Sequence, residues 1–430
     1  MWDFATDSDY QAKLEWADAF VRDEVEPLDL AFPERHYHRP TNAIRSVINP
    51  LKQQVRDAGL WATHLGPELG GQGYGQLRLA LLNEILGRSK WAPIIFGCQA
   101  PDTGNAEILA HYGTDEQKRK YLQPLLDGEM FSSYSMTEPH AGADPTMFTT
   151  RARRDGDEWV IDGDKFYSSN ARYADLLIVM AVSNPDVPAY EGMSMFLVPT
   201  ETAGVNIVRN VATMGERGEG SHATIHYDNV RVPADALLGD EGKGFVAAQT
   251  RLGGGRIHHA MRTVAQAKVA FDMMCERAVS RETKGSRLAD KQMVQLMISD
   301  SWTQIHQLRL MVMHTAWLID QKSTAGVRKE IAACKIEAAR VLHDVVARSI
   351  QVHGALGVSD ELPLAGLWNF APTMGLMDGP TEVHQITIAR DSVKHVTPAA
   401  GMYPSTWLPP RVEAAHARYA TAIAADAKER

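Results

Sequence analysis

The chain has 430 residues, 44% of them hydrophobic and 23% charged, with 44 Lys and Arg against 53 Asp and Glu for a formal net charge of −9. That length allows two or three domains with a large core, and the acidic balance argues against a general nucleic-acid binder. No stretch of about 18 apolar residues exists to span a membrane. The start, Met1-Trp2-Asp3-Phe4, lacks the basic and apolar regions of a signal peptide, so a cytoplasmic location is expected. Cys98, Cys275 and Cys334 are too far apart for a CxxC pair and odd in number for a disulfide frame, which fits a reducing compartment.

Residues 9–30 read as a helix, with Leu14, Ala17, Phe20 and Val21 on one stripe. Pro33 and Pro40 mark a loop, and 43–60 and 76–88 repeat the helical period. Between them Gly70-Gly71-Gln72-Gly73-Tyr74-Gly75 has no buried strand before it, so it reads as a helix-connecting turn and not as a dinucleotide loop. Thr114 is predicted to cap a helix through Leu122, with Gln117 completing a capping box. From about 131 the period shortens. Trp159–Ile161, Leu176–Met180, Met195–Val198 and Val205–Val208 are β-rich runs between turns, and 222–232 alternates until Pro233 closes it, which makes a β-domain of about 110 residues.

From Phe245 to about 395 the helical period returns, with helices expected at 255–281, 288–323, 326–354 and from Pro380 to His395. Met293, Met297, Met311 and Met313 read as core filler. The tail from Pro398 carries Pro404, Pro409 and Pro410 and then an Ala-rich helix, an extension or an arm onto a neighbour. The expected fold class is α+β: a helical domain over 1–130, a β-domain over 131–243, a helical bundle over 244–397 and an extension over 398–430.

Two short runs inside the β-domain carry the chemistry. The first spans Tyr134 to Asp144 and the second Lys165 to Asn170. Thr137-Glu138-Pro139 ends a strand, since Pro has no N–H for a ladder. Gly142 and Ala143 leave a backbone that a flat ring could approach. The hydroxyls of Ser135, Thr137, Ser168 and Ser169 suit the carbonyls and nitrogens of such a ring, and Tyr134 and Tyr167 offer faces for stacking. The same residues also read as an ordinary turn joining two strands. His258-His259 and His36-x-His38 have no companion Cys or carboxylate at ligand spacing, so no metal is expected.

These runs, set between two helical blocks, resemble the flavin-cradling segments of the acyl-CoA dehydrogenase family, and the resemblance covers about 1–395. It implies a helical N-terminal domain, a middle β-barrel or sandwich and a C-terminal four-helix domain. It also implies FAD, an acyl-CoA substrate oxidised to the trans-2,3-enoyl-CoA, an electron-transfer flavoprotein as acceptor, and a homodimer or homotetramer. By the same resemblance Tyr134, Ser135, Met136, Thr137, Gly142, Ala143, Tyr167, Ser168 and Ser169 cradle the flavin. Ala143 stands where many relatives carry Ser, and Tyr167 replaces the usual Trp. Arg281-Glu282-Thr283-Lys284-Gly285 followed by Gln292 resembles the family's Arg-x-Thr-Phe-Gly…Gln run, which assigns Arg281, Thr283 and Gln292 to the FAD of an adjacent subunit. An arginine fork suits a diphosphate. Gln351-Val352-His353-Gly354-Ala355-Leu356-Gly357 resembles the family's Gln-x-x-Gly-Gly-x-Gly turn, which adds Gln351, Gly354 and Ala355.

Met377-Asp378-Gly379-Pro380-Thr381-Glu382, ahead of Ala389-Arg390, resembles the family's aromatic–Glu–Gly–Thr site. The resemblance makes Asp378 the catalytic base, Gly379 a substrate contact, and Pro380, Thr381 and Glu382 FAD contacts. A carboxylate suits removal of the proton beside a thioester, and a dry pocket should raise its pKa. The implied oxyanion donors are the Asp378 N–H and a ribityl hydroxyl of FAD. Other members place the base just before an arginine. Here that slot is Gly255, followed by Arg256 on the substrate side. The Asp-Gly-Pro-x-Glu-Val-His form is similar to the acyl-CoA dehydrogenase 10 and 11 branch. Asp378 also reads as a plain cap of the last helix. Two further functions stay open: a nitroalkane oxidase-like flavoenzyme, and a catalytically inactive flavin- or acyl-CoA-binding scaffold.

Overall fold

The computed structural model describes residues 6–33, 38–67, 71–214 and 220–430, so the amino-terminal Met1–Phe4 run, His36 and Gly70 lie outside the described residues. The chain divides into two compact units, Met1–Thr387 and Ile388–Arg430.

The amino-terminal α-helices are Ser8–Phe20 (α1), Glu26–Ala31 (α2), Asn42–Asp57 (α3), Gly75–Leu86 (α4), Ala92–Ile95 (α5), Asp102–Tyr112 (α6), Asp115–Gln117 (α7) and Gln123–Asp127 (α8). Their starts follow local chemistry. Asp7 accepts from the Tyr10 N–H at 2.9 Å and Thr41 from the Ile44 N–H at 3.3 Å, satisfying donors that a helix start leaves unpaired. The predicted stripe of Leu14, Ala17, Phe20 and Val21 is buried. The predicted capping box is present: the Gln117 N–H donates to Thr114 Oγ1 at 3.2 Å, and Gln117 Oε1 accepts from the Thr114 N–H at 3.0 Å. The Gln117 amide also donates to the carbonyls of Asp235 and Leu237 at 2.7 and 2.9 Å, pinning this helix to the β-domain.

The β-domain is one sheet of Ser132–Ser135 (β1), Arg151–Asp155 (β2), Glu158–Ser169 (β3), Leu176–Val182 (β4), Met193–Pro199 (β5), Val205–Val211 (β6), His222–Pro233 (β7) and Leu237–Leu238 (β8). The order is β6-β7-β3-β2-β4-β5-β8, with β1 parallel to β4 in the register Ser135↔Val179. Every residue of β4 is buried. Leu176, Ile178 and Met180 pack toward the amino-terminal helices, while Leu177, Val179 and Ala181 pack on the opposite face with Trp159 and Phe196. A strand covered on both faces loses its polar alternation, which is why this run reads as continuously apolar.

The carboxy-terminal helices are Gly244–Ser280 (α9), Gln292–Lys322 (α10), Arg328–His353 (α11), Leu364–Leu376 (α12) and Thr381–Val393 (α13). Ile257, Met261, Val264, Leu308, Val312, Met313, Val341, Leu342 and Met374 join α9 to α12 in one core. Two expectations are corrected. The first helix begins at Gly244 and not near 255, so Gly253-Gly254-Gly255 and Arg256 lie in the helix interior. The helix Leu364–Leu376, with Pro363 before it and Pro372 inside it, was not anticipated. The methionine stripe also divides: Met313 is fully buried, whereas Met293 is 74% exposed. In the second unit, Leu408–Arg418 (α14) and Ala420–Glu429 (α15) form the Ala-rich end.

Candidate active site

Asp378 sits where α12 turns into α13. It has φ +56° and Gly379 has φ +103°, two left-handed residues in a row, a conformation that Asp tolerates better than most side chains and Gly tolerates freely. Three contacts hold the turn. Arg256 Nε donates to the Asp378 carbonyl at 2.8 Å, Thr381 Oγ1 to the Gly375 carbonyl at 3.2 Å, and Lys335 Nζ to the Met374 carbonyl at 2.5 Å. Beneath Gly379 lies the buried His384, and a Cβ at 379 would stand 3.3 Å from its Nε2.

The carboxylate of Asp378 faces the triple glycine of α9. A Cβ on Gly255 would lie 3.2 Å from Asp378 Oδ2, and one on Gly254 would lie 2.7 Å from Glu107 Oε2. Each interior glycine costs a helix about 1 kcal/mol relative to Ala, so the run is explained by what approaches it: Thr324 meets position 253, Glu107 from α6 meets 254 and Asp378 meets 255. Positions 255 and 378 thus converge on one spot.

Burial pushes the Asp378 carboxyl up, but His259, Arg251, Lys335 and Arg256 together pull it below its usual value. The expected rise is therefore corrected, because the cations around the carboxyl outweigh its desolvation. His259 Nε2 stands 3.5 Å from Asp378 Oδ2, and burial lowers its pKa to about 4 against the pull of Asp378. Burial lowers Lys335 to about 8 and His384 to about 4. Glu107 goes the other way, raised by burial to about 8 with Arg251 opposing. At neutral pH the two carboxyls differ: Asp378 is ionised and Glu107 keeps its proton. Environments that push two titratable groups apart are a mark of functional clefts. Glu107, Arg251, His259, Lys335 and His384 were not singled out as site residues from the sequence. Their only signal was the His-His pair in α9, and the helix splits it: His258 turns to Gln76 at 3.2 Å while His259 meets Asp378.

The two β-domain runs are joined by a buried ion pair. Lys165 Nζ stands 2.9 Å from Glu138 Oε1, both side chains are 0% exposed, and Nζ also donates to the Met136 carbonyl at 2.8 Å. Glu138 further accepts from the N–H groups of Thr149 and Thr150 at 2.7 and 3.0 Å. Burial opposes its charge, yet Lys165 and these donors hold the carboxyl down at about 2. The Phe166 N–H donates to the Thr137 carbonyl at 2.9 Å, completing the tie. The hydroxyl role expected for Ser135 and Ser168 is corrected: both are 0% exposed and bond each other at 3.0 Å, with Tyr227 Oη 2.9 Å from Ser135. Ser169 Oγ pairs with His222 Nδ1 at 2.9 Å.

The aromatic faces also divide. Arg251 lies 3.9 Å over the Tyr134 ring and donates from Nε to Asn105 Oδ1 at 2.9 Å, so that face already holds a guanidinium. Tyr167, at φ +57° and 48% exposed, presents its ring outward. Gly142 has φ +55° with no atom within 4 Å of a would-be Cβ, and Ala143 beside it is exposed. This bare backbone fits the approach of a flat ring.

A second group forms at the far end of α9. Arg281 caps that helix, Thr283 lies in the two-residue strand Glu282–Thr283 (β9), paired with Ser286–Arg287 (β10), and Gln292 opens α10. Met274, Ala278 and Val352 pack with Leu288, Val294 and Met297, which brings this hairpin beside the end of α11, where Gln351, Gly354 and Ala355 lie exposed. Gly354 has φ +68° and open space where a Cβ would be. Pro380, Thr381 and the exposed Glu382 open α13. Among the described residues no cluster of three or more His, Cys, Asp or Glu is placed to hold a metal, and no helix is long and apolar enough to cross a membrane.

Comparison with known proteins gives three matches in chain order: residues 7–129 to the acyl-CoA dehydrogenase N-terminal domain, 133–230 to its middle domain and 242–393 to its C-terminal domain. Probable acyl-CoA dehydrogenase FadE2 of Mycobacterium tuberculosis is 45% identical over 80% of this chain and 85% of its own length. Acyl-CoA dehydrogenase family member 11 of Rattus norvegicus is 38% identical over 86% of this chain, which spans 48% of that longer protein. A solved acyl-CoA dehydrogenase-like structure from Mycobacterium abscessus is 37% identical and superposes with a TM-score of 0.84, covering 91% of this chain and 99% of its own. The three-domain fold and these matches together establish that the chain belongs to the acyl-CoA dehydrogenase family, oxidoreductases that act on the CH–CH group of an acyl-CoA.

Proposed function

We propose that this chain is an FAD-dependent acyl-CoA dehydrogenase that forms the trans-2,3-enoyl-CoA, with Asp378 as the base that takes the α-proton. The observation that carries the reading is the ionised Asp378 carboxylate, aimed at the stripped backbone of α9 and flanked by Arg251, which stacks on Tyr134 of the flavin-cradling run. When bound, FAD supplies the acceptor for the β-hydride.

The chain's own residues supply the rest. Gly142, Ala143 and Tyr167 offer the open surface for the ring, Met136 and Thr137 are locked in place by Lys165 and Phe166, and Ser135 and Ser168 brace the strands behind them. Asp378 is held in its charged form, ready to accept a proton, and Arg256 fixes the turn that aims it. The Asp378 N–H is the proposed donor to the thioester oxygen. Arg281, Thr283 and Gln292, all exposed, are proposed to reach the FAD of an adjacent subunit, beside the exposed apolar Met293 and Leu296 of α10. A homo-oligomer, an electron-transfer flavoprotein as acceptor and a cytoplasmic location belong to the same reading.

The test is an anaerobic titration of the purified yellow protein with acyl-CoAs of graded length. Loss of the flavin band together with enoyl-CoA formation is expected. A yellow protein that no acyl-CoA bleaches, yet that consumes oxygen with a nitroalkane, overturns the reading.

A further inference from the structure

We propose that Lys335 is a positioning residue for Asp378: from α11 it anchors the end of the helix that delivers the carboxylate and helps hold that carboxylate charged. This rests on the reading of Asp378 as the base.

Lys335 is 1% exposed. Its ammonium donates to the Met374 carbonyl at 2.5 Å, and among the described residues no carboxylate forms an ion pair with it. A buried lysine in that state is expensive, since the charge leaves water for one carbonyl. A methionine would fill the same space without desolvating a cation. The position therefore calls for an explanation beyond packing.

Two features supply it. Met374 lies in the last turn of α12, where a helix leaves carbonyls unpaired and a cation is favoured. Four residues later the chain makes its left-handed turn at Asp378. Arg256 holds the far side of that turn from α9, and Lys335 holds the near side from α11. The two helices clamp the loop between them, and both cations favour a charged Asp378.

The titratable and charged groups that face Asp378 are His259, Arg251 and Arg256 from α9, Lys335 from α11, His384 from α13 and Tyr134 from β1. At neutral pH both histidines are uncharged, because burial lowers each to about 4. The standing positive field therefore comes from the two arginines and Lys335. Arg251 is engaged with Asn105 and Tyr134, and Arg256 with the Asp378 carbonyl. Lys335 is the member of this set contributed by a different helix, so its removal tests the clamp and the field together.

The experiment compares wild type, Lys335→Met, Lys335→Arg and Asp378→Asn as FAD-loaded proteins. Single-turnover flavin reduction by an acyl-CoA is followed against pH. The Asp378 carboxyl is followed separately by infrared difference against Asp378→Asn. Lys335→Met is expected to slow reduction at pH 7 by about tenfold or more and to move both the acidic limb and the infrared titration up by about one pH unit. Lys335→Arg is expected to restore the limb. A lysine that only caps α12 would change the thermal midpoint and leave both titrations in place, and that result overturns the proposal. If Lys335→Met does not fold, Lys335→Gln, which keeps a donor, carries the same test. Reduction of Asp378→Asn at the wild-type rate brings down the base reading and the Lys335 role with it. An inactive Asp378→Asn beside a Lys335→Met with the wild-type limb brings down the Lys335 role alone.

Discussion

Two carboxylates in this protein, one fully buried and one half-buried, meet cations in opposite ways. Glu138 in the β-domain is saturated, with a lysine on one oxygen and donors from Thr149 and Thr150 around it. Asp378 in the helical domain faces two arginines, Lys335 and a histidine at 3.5 Å, and its carboxylate points at a helix stripped to glycine. A saturated carboxylate has nothing left to offer a substrate, and its work is to hold two chain segments together. An undersaturated one in a cation-rich cleft stays charged and keeps room for a reacting carbon. Both are held ionised, and the number of committed hydrogen bonds tells them apart.

The sharpest way to break the comparison is to neutralise each carboxylate system in turn. Asp378→Asn should reduce acyl-CoA-dependent flavin reduction by about 10³-fold or more while FAD content and thermal midpoint stay near wild type; retained reduction would contradict its assignment as base. Lys165→Met should do the reverse. It strands Glu138 without its cation and should destabilise the fold by about 3–5 kcal/mol in a denaturant titration, whereas a loss below about 1 kcal/mol would show that Glu138 is not held as the geometry implies.

The pH dependence sharpens the contrast. The Glu138 carboxyl is at about 2 in the folded chain against an ordinary 4.5. A depressed folded pKa contributes stability that is complete above the unfolded value and is lost as pH falls through the folded one. Unfolding midpoints of the wild type should therefore fall between pH 4.5 and 2 in part through this group, and Lys165→Met should show a shallower fall over that window.

Gly255→Ala should separate stability from function. An alanine removes a glycine penalty of about 1 kcal/mol from the interior of α9, but its Cβ would press on Asp378 Oδ2 at 3.2 Å. Unchanged or raised thermal stability with about tenfold slower reduction is expected, and an unaffected rate would show that Asp378 points elsewhere in the working enzyme. The smallest effect is expected at Arg281→Ala: weaker FAD retention on gel filtration with the fold intact, since that side chain is exposed.

The sequence by itself determined the helical–β–helical order, the capping box at Thr114 and Gln117, the β-strands and the motif carrying Asp378, because each is written in local periodicity or in a short run of neighbours. It also showed that the slot at 255 is glycine. Tertiary structure decided what that glycine faces, that α9 runs unbroken from Gly244, and that Ser135 and Ser168 bond each other inside the sheet. It decided the charge state of Asp378 as well. That state depends on Arg251 and Arg256 from one helix and Lys335 from another. Lys335 stands 43 positions before Asp378 in the chain, and no sequence period links residues that meet only when two helices pack against the same turn.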